Sequence, residues 1–204
     1  MDENLNLNYA ELCGTMAAPP LFSHASRGER FFIFPLNVER LSGTSDTVNI
    51  IVREGLLGSL EPEGEEKIRV IGELRSFNNK SGEGARLVIT VFAKDIELCN
   101  AEDENIIRLA GTLCKAPNKR TTPMGRDICD LMLAVNRRYG RSDYLPCIAW
   151  GAKAVRASEW QVGTRVVLEG RIQSRSYIKL IDDIPIEKTA FEVSVIEIEE
   201  NPSA

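Results

Sequence analysis

The chain has 204 residues, enough for two domains of about 100 residues that each bury a modest core. No run of about 18 apolar residues occurs, and Met1-Asp2-Glu3-Asn4 lacks the basic-then-apolar order of a secretion signal, so no membrane span is expected. The net charge of −5 hides an asymmetry: residues 1–104 carry −8, while residues 105–204 carry +3, or +6 without the last eight.

In chain order, Leu12-Cys13-Gly14-Thr15 opens a stretch that returns as Leu109-Ala110-Gly111-Thr112, 97 positions later. The same offset aligns Leu36 to Gly43 with Leu133 to Gly140, and Asp46 to Val52 with Asp143 to Ala149. Ile71-Gly72 meets Glu169-Gly170 at an offset of 98. One inserted residue over this length marks a duplicated domain. The expected domains are 1–99 and 106–198, joined by the polar, acidic stretch Asn100 to Asn105 and followed by a short acidic tail at 199–204.

Each copy reads as short strands with one helical interruption. In the second, Arg108 to Cys114 is a strand, and Thr121 to Gly125 a turn. Ile128 to Arg138 and Asp143 to Trp150 are strands, Ala152 to Ala157 favours a short helix, and Val166 to Ser176 and Ala190 to Ile198 close the series. Five strands with a helix between the third and fourth is the order of an OB-fold barrel. The expected fold is therefore all-β, two tandem five-stranded barrels, each with that helix.

Strand parity sorts the faces. Leu145, Cys147 and Ala149 suit a core, which turns Tyr144, Pro146, Ile148 and Trp150 outward. Val166, Leu168, Gly170 and Ile172 suit a core, which turns Val167, Glu169, Arg171, Gln173, Arg175 and Tyr177 outward. Alternation alone groups Tyr139 with Leu131, Leu133 and Val135, though a bulge before Gly140 can turn it out. One strand aromatic is ordinarily barrel packing. Three aromatics on one face, interleaved with arginine, suit single-stranded nucleic acid, because bases stack on rings and phosphates attract guanidinium groups. Lys119, Arg120, Arg126, Arg137, Arg138, Lys153, Arg171 and Arg175 are the candidate phosphate partners.

The run from Leu109 to Tyr177 resembles the bacterial single-stranded DNA-binding proteins. The likeness is carried by Thr122-Pro123-Met124-Gly125, Leu133 to Tyr139, Cys147-Ile148-Ala149-Trp150-Gly151 and Gly170 to Tyr177. It implies base stacking by Tyr139, Tyr144, Trp150 and Tyr177, with Tyr139 facing out. Since family members assemble so that four barrels act together, it also implies a homodimer of tandem chains. A cytoplasmic, nucleoid-associated role in replication, recombination or repair follows, with repair or replication proteins as further partners.

The first copy departs from this pattern: Ser42, Thr47, Arg53 and Asn79 stand where the aromatics are. Its outward face is read as Arg53, Arg69 and Arg75 with one aromatic, Phe77, alongside Glu73, which fits assembly or protein contacts. The competing reading is accordingly a primosome-like or plasmid- or phage-associated adaptor in which protein contacts dominate. RNA is a second possible ligand, since stacking platforms accept either backbone.

Catalysis is not expected. The single histidine, His24, lies in a polar loop without a nucleophile, and no phosphate-cradling glycine loop appears. The five cysteines form no Cys-x-x-Cys pair, so neither a zinc site, another cofactor nor a disulfide framework is expected.

Overall fold

Alternating apolar residues need a second surface to bury against, and a sheet closed on itself supplies one. A computed structural model describes residues 7–58, 67–79, 87–137, 140–181 and 184–201. Its elements are β1 (Asn8–Met16), β2 (Leu21–Ser26), β3 (Glu29–Glu39), β4 (Ser45–Arg53), α1 (Glu54–Leu57), β5 (Lys67–Asn78) and β6 (Leu87–Cys99). They continue with β7 (Glu104–Leu113), β8 (Asn118–Thr121), β9 (Asp127–Asn136), β10 (Ser142–Trp150), α2 (Ala152–Ala157), β11 (Arg165–Ile181) and β12 (Ile184–Glu200). The chain divides into two compact units. One holds Tyr9–Arg75 and Ile89–Ile106; the other holds Leu7 and Asn8, the described residues of 76–88, and those from Ile107 on.

The first unit is a ring of five strands in the order β1-β3-β4-β6-β5, closed because β5 pairs again with β1. β1 runs antiparallel to β3 and β5, β3 antiparallel to β4, and β4 parallel to β6, while β2 extends the sheet as a hairpin with β3. The other unit repeats the plan: β7-β9-β10-β12-β11 closes on β7, β10 and β12 run parallel, and β8 extends β9. A short helix follows the third barrel strand in each, α1 after β4 and α2 after β10. These are two OB-fold barrels in tandem.

The interiors follow strand parity. Val48, Ile50 and Val52 of β4 and Ile68, Val70 and Leu74 of β5 are buried in one barrel. Leu145, Cys147 and Ala149 of β10 and Val166, Leu168 and Ile172 of β11 are buried in the other. In α2, Ala154 and Ala157 are three apart and fall on one buried face. The Ala152–Ala157 helix starts and stops where its sequence indicates.

Closure depends on glycines. At Gly111 an added Cβ would stand 2.7 Å from the carbonyl oxygen of Ala134 and 2.9 Å from the Leu133 side chain, where β7 crosses onto β9. Gly14 faces the Asn37 carbonyl in the same way, and Asn37 is Ala134 at the repeat offset. Gly72 lies against the Phe92 carbonyl, and its counterpart Gly170 lies against that of Ser194, beside a register shift after Glu169. The four repeat-defining glycines thus mark where two strands pass too close for any side chain.

Three features differ from the sequence expectation. The short strands β2 and β8 form outside the five-strand plan, because local hairpins extend β3 and β9. β7 starts at Glu104, inside the stretch read as linker. β11 and β12 each run 17 residues, since their ladder continues past the barrel to Ile181 opposite Ile184.

Replacing Gly111 with Ala pushes backbone against backbone, so the variant should unfold at lower denaturant, losing about 1–3 kcal/mol. An Ala at Gly125, whose added Cβ meets nothing, is strained only by its φ of 77° and should cost about 1 kcal/mol. Urea titrations of the two variants against the parent measure the difference.

Candidate nucleic-acid interface

The outer surface of the second barrel is laid down by strand register. β10 pairs with β9 so that Tyr144 sits opposite Ala134, Ile148 opposite Asp130 and Trp150 opposite Ile128. On its other side Ile148 meets Ser194 of β12, which in turn faces Arg171 of β11. The ladder then places Gln173 by Glu192, Arg175 by Ala190 and Tyr177 by Lys188 on that same face. Paired residues point the same way, so Tyr144, Trp150, Arg171, Arg175 and Tyr177 share one surface.

Exposure separates them. Tyr144 is 51% and Trp150 39% exposed, high values for large rings on a barrel strand. Tyr177 is half-buried and Arg175 exposed. Ile148, read from sequence as outward, is buried, and Pro146 is half-buried. Ile148 lies mid-strand with β9 on one side and β12 on the other, so neighbouring side chains cover it. Tyr139 and Arg138 lie outside the described residues.

Trp150 has open space beside it. A cleft of about 480 Å3 is lined by Gly125, Arg126, Asp127, Trp150 and Gly151. The β8–β9 turn builds its rim: the Thr122 N–H donates to the Arg126 carbonyl at 2.8 Å, and the Arg126 N–H donates to Thr122 Oγ1 at 3.0 Å. The Gly151 N–H donates to the Asp127 carbonyl at 2.9 Å, holding the end of β10 to that turn. A flat ring beside a cleft with an exposed guanidinium can accept a base and its phosphate.

The basic side chains divide by their present partners. Lys119 pairs with Asp127 at 3.3 Å, Arg120 with Asp130 at 2.8 Å, Lys153 with Glu197 at 3.1 Å and Arg175 with Glu192 at 3.8 Å. Donating to the Asp130 carboxylate pushes the Arg120 pKa up. The first three pairs are partly exposed on both sides and hold weakly, whereas Glu192 is buried and also accepts from Gln173 at 2.9 Å. Arg126 has no ion-pair partner among the described residues, and the buried Nε of Arg171 has no hydrogen-bond acceptor among them.

Arg137 is different. Read from sequence as a phosphate partner, it is engaged in the structure by Asp143, which is wholly buried: Nε donates to Oδ2 at 2.5 Å and a second nitrogen to Oδ1. The same arginine donates to the Ser76 carbonyl at 3.2 Å, and the Ser76 N–H donates to Asp143 Oδ1 at 2.5 Å. The Tyr144 N–H donates to Ser76 Oγ at 2.7 Å. A buried carboxylate needs a cation close by, and Arg137 is that cation. Its counterpart in the first unit, Arg40, grips the equally buried Asp46 with two bonds of 2.6 Å. Retention of the pair in both copies marks Arg137 as a clip across the β9–β10 hairpin.

Phe77 falls in the other unit, and the first unit carries aromatic surface of its own. Phe92 of β6 has the Arg53 guanidinium 5.8 Å from its centroid and that of Arg75 at 5.9 Å. Phe31 packs 6.0 Å from Phe92 and stacks on His24 at 4.8 Å. Arg30 lies over both Phe22 (54% exposed) and Phe32. Parity applied to β6, with Ile89, Val91 and Ala93 inside, turns Phe92 out and would have found it. The structure places His24 on β2 and not in the polar loop expected from sequence, and its stacking on Phe31 had no sequence signal.

Burial raises the pKa of Cys114, Cys129 and Cys147, so these thiols stay protonated and are poor nucleophiles. Among the described residues, no group of three His, Cys, Asp or Glu is placed to hold a metal ion.

Residues 104–198 match the model of the single-strand binding protein family. Over 80 residues the chain is 36% identical to single-stranded DNA-binding protein B of Bacillus subtilis, covering 36% of this chain and 71% of that one. The chain belongs to the single-strand binding protein family. It is a family of binding proteins, not of enzymes. Single-stranded DNA-binding protein 2 of Listeria innocua is 34% identical over 80 residues, 36% of this chain and 50% of that one. The chain thus spans about half the length of several curated relatives it matches. The wild-type single-stranded DNA binding protein of Thermus aquaticus superposes with a TM-score of 0.79 at 22% identity, over 98% of this chain and 95% of that one. That likeness extends the family's barrel fold to the first copy, which lies outside the family match.

If Arg137 and Asp143 form a clip, Asp143→Ala leaves a part-buried guanidinium unpaired and should cost about 3 kcal/mol of stability. Asp46→Ala should do the same in the first barrel. Calorimetric unfolding of each variant checks both.

Proposed function

We propose that the protein coats single-stranded DNA without sequence preference, chiefly through the domain at residues 106–198. Bases stack on Tyr144, Trp150 and Tyr177, with Tyr139 as a fourth platform. Phosphates are met by Arg126 and Arg171, joined by Arg138 and by Lys119, Arg120, Lys153 and Arg175 once these exchange their carboxylates. The observation that carries the reading is the pair of half-exposed rings on β10, Tyr144 and Trp150, sharing a face with Arg171. Stacking requires no base-edge readout, which is why no sequence preference is proposed.

The arginine-covered phenylalanines of the domain at 1–99 support a secondary role in guiding the strand, beside the assembly role its acidic charge favours. Two tandem chains supply four barrels, so we place the active form as a homodimer acting in the bacterial cytoplasm in replication, recombination or repair.

Oligo-dT titration of a Trp160→Phe background isolates Trp150 emission, which should quench on binding at low salt. Stacking is worth about 1–3 kcal/mol per base, so the triple change Tyr144→Ala, Trp150→Ala, Tyr177→Ala should raise Kd by at least about 100-fold. Arg126→Ala and Arg171→Ala should each lower the slope of log affinity on log salt by about 0.7. Unchanged affinity in the triple variant would overturn the reading. Light scattering should return twice the 22.7 kDa chain mass; a monomer would remove the four-barrel assembly.

A further inference from the structure

The first unit holds two thiols in close contact. Cys13, in the middle of β1, is fully buried, and Cys99, the last residue of β6, is partly exposed. Their sulfurs are 2.7 Å apart, although 86 positions separate them in the chain. Two sulfurs in a disulfide lie about 2.0 Å apart, so less than an ångström of movement joins these. None of the other three cysteines is described in contact with another thiol. We infer that Cys13 and Cys99 are a reversible disulfide site that ties the first strand of this barrel to its last.

The surroundings set which thiol reacts first. Cys99 is the one solvent reaches, so it attacks an incoming small-molecule disulfide, forming a mixed disulfide and releasing one thiolate. Cys13 then loses its proton to solvent and attacks the Cys99 sulfur, expelling the second small thiolate. Two protein thiols and one small disulfide thereby become one protein disulfide and two small thiols, and a reduced thiol reverses the exchange. Cys13 faces Cys99, the Asp103 carboxylate and the Lys67 ammonium, which pairs with Asp103 at 2.8 Å. Burial, then the Cys99 contact, pushes its pKa up to about 12. The second step is accordingly the slow one at neutral pH, and the pair is reduced until an oxidising disulfide accumulates.

The link closes a long loop without new packing. It restricts mainly the unfolded chain, so the oxidised protein should melt at a higher temperature than the reduced one. Both cysteines lie within one barrel, and neither is on the proposed DNA-binding face of the other.

The test uses the full-length protein incubated with oxidised glutathione, quenched in acid, denatured and alkylated with N-ethylmaleimide. Intact mass should show three alkylated cysteines where the reduced protein shows five. A non-reducing tryptic map should join the peptide of residues 1–27 to that of residues 95–108. The mixed disulfide should accumulate first and convert faster as pH is raised from 7 to 9. Cys99→Ser should show no intramolecular link and no oxidant-dependent rise in melting temperature. Five free thiols after prolonged oxidation, or a link joining any other pair or two chains, would overturn the proposal. The wild-type map decides this by itself if a serine variant does not fold.

Discussion

Backbone passing against backbone is the constraint on which this molecule rests. An OB barrel closes only if its first strand reaches across to the second, and at that crossing there is no space for a β-carbon. Gly14 against Asn37 and Gly111 against Ala134 satisfy the demand in the two copies. Gly72 and Gly170 satisfy the related one where the fourth strand bends against the fifth. Interiors and crossings tolerate little change, which is why the glycines and the alternating Val, Ile and Leu stay in register across the duplication while the outward residues have diverged.

The buried Arg–Asp pairs belong to the same set of constraints. A carboxylate with no solvent exposure is unfavourable without an adjacent cation, and each hairpin supplies one six residues upstream. Repetition therefore separates the charged residues into two kinds. Those present in both copies at the repeat offset, Arg40 with Arg137 and Asp46 with Asp143, hold the barrel. Others, such as Arg126 and Arg171, are present in the second copy only.

Four of the second barrel's basic side chains are held in ion pairs. Asp127, Asp130, Glu192 and Glu197 occupy Lys119, Arg120, Arg175 and Lys153. Apart from the buried Glu192, these partners are partly exposed and contribute little stability. The first barrel orders its arginines differently, laying Arg30, Arg53 and Arg75 over phenylalanine faces.

By itself the amino-acid order determined the duplication, the barrel class, the α2 helix and the outward placement of Tyr144, Trp150, Arg171 and Tyr177. Those properties follow from local periodicity, since strand parity and a repeat offset need no knowledge of which strands pair. Only the tertiary structure decided that Ile148 is covered, that Arg137 pairs with the buried Asp143, that two arginines lie over Phe92 and that Cys13 meets Cys99. Each of these depends on contacts across strands distant in the chain, and alternation along one strand cannot register what the neighbouring strand places beside it.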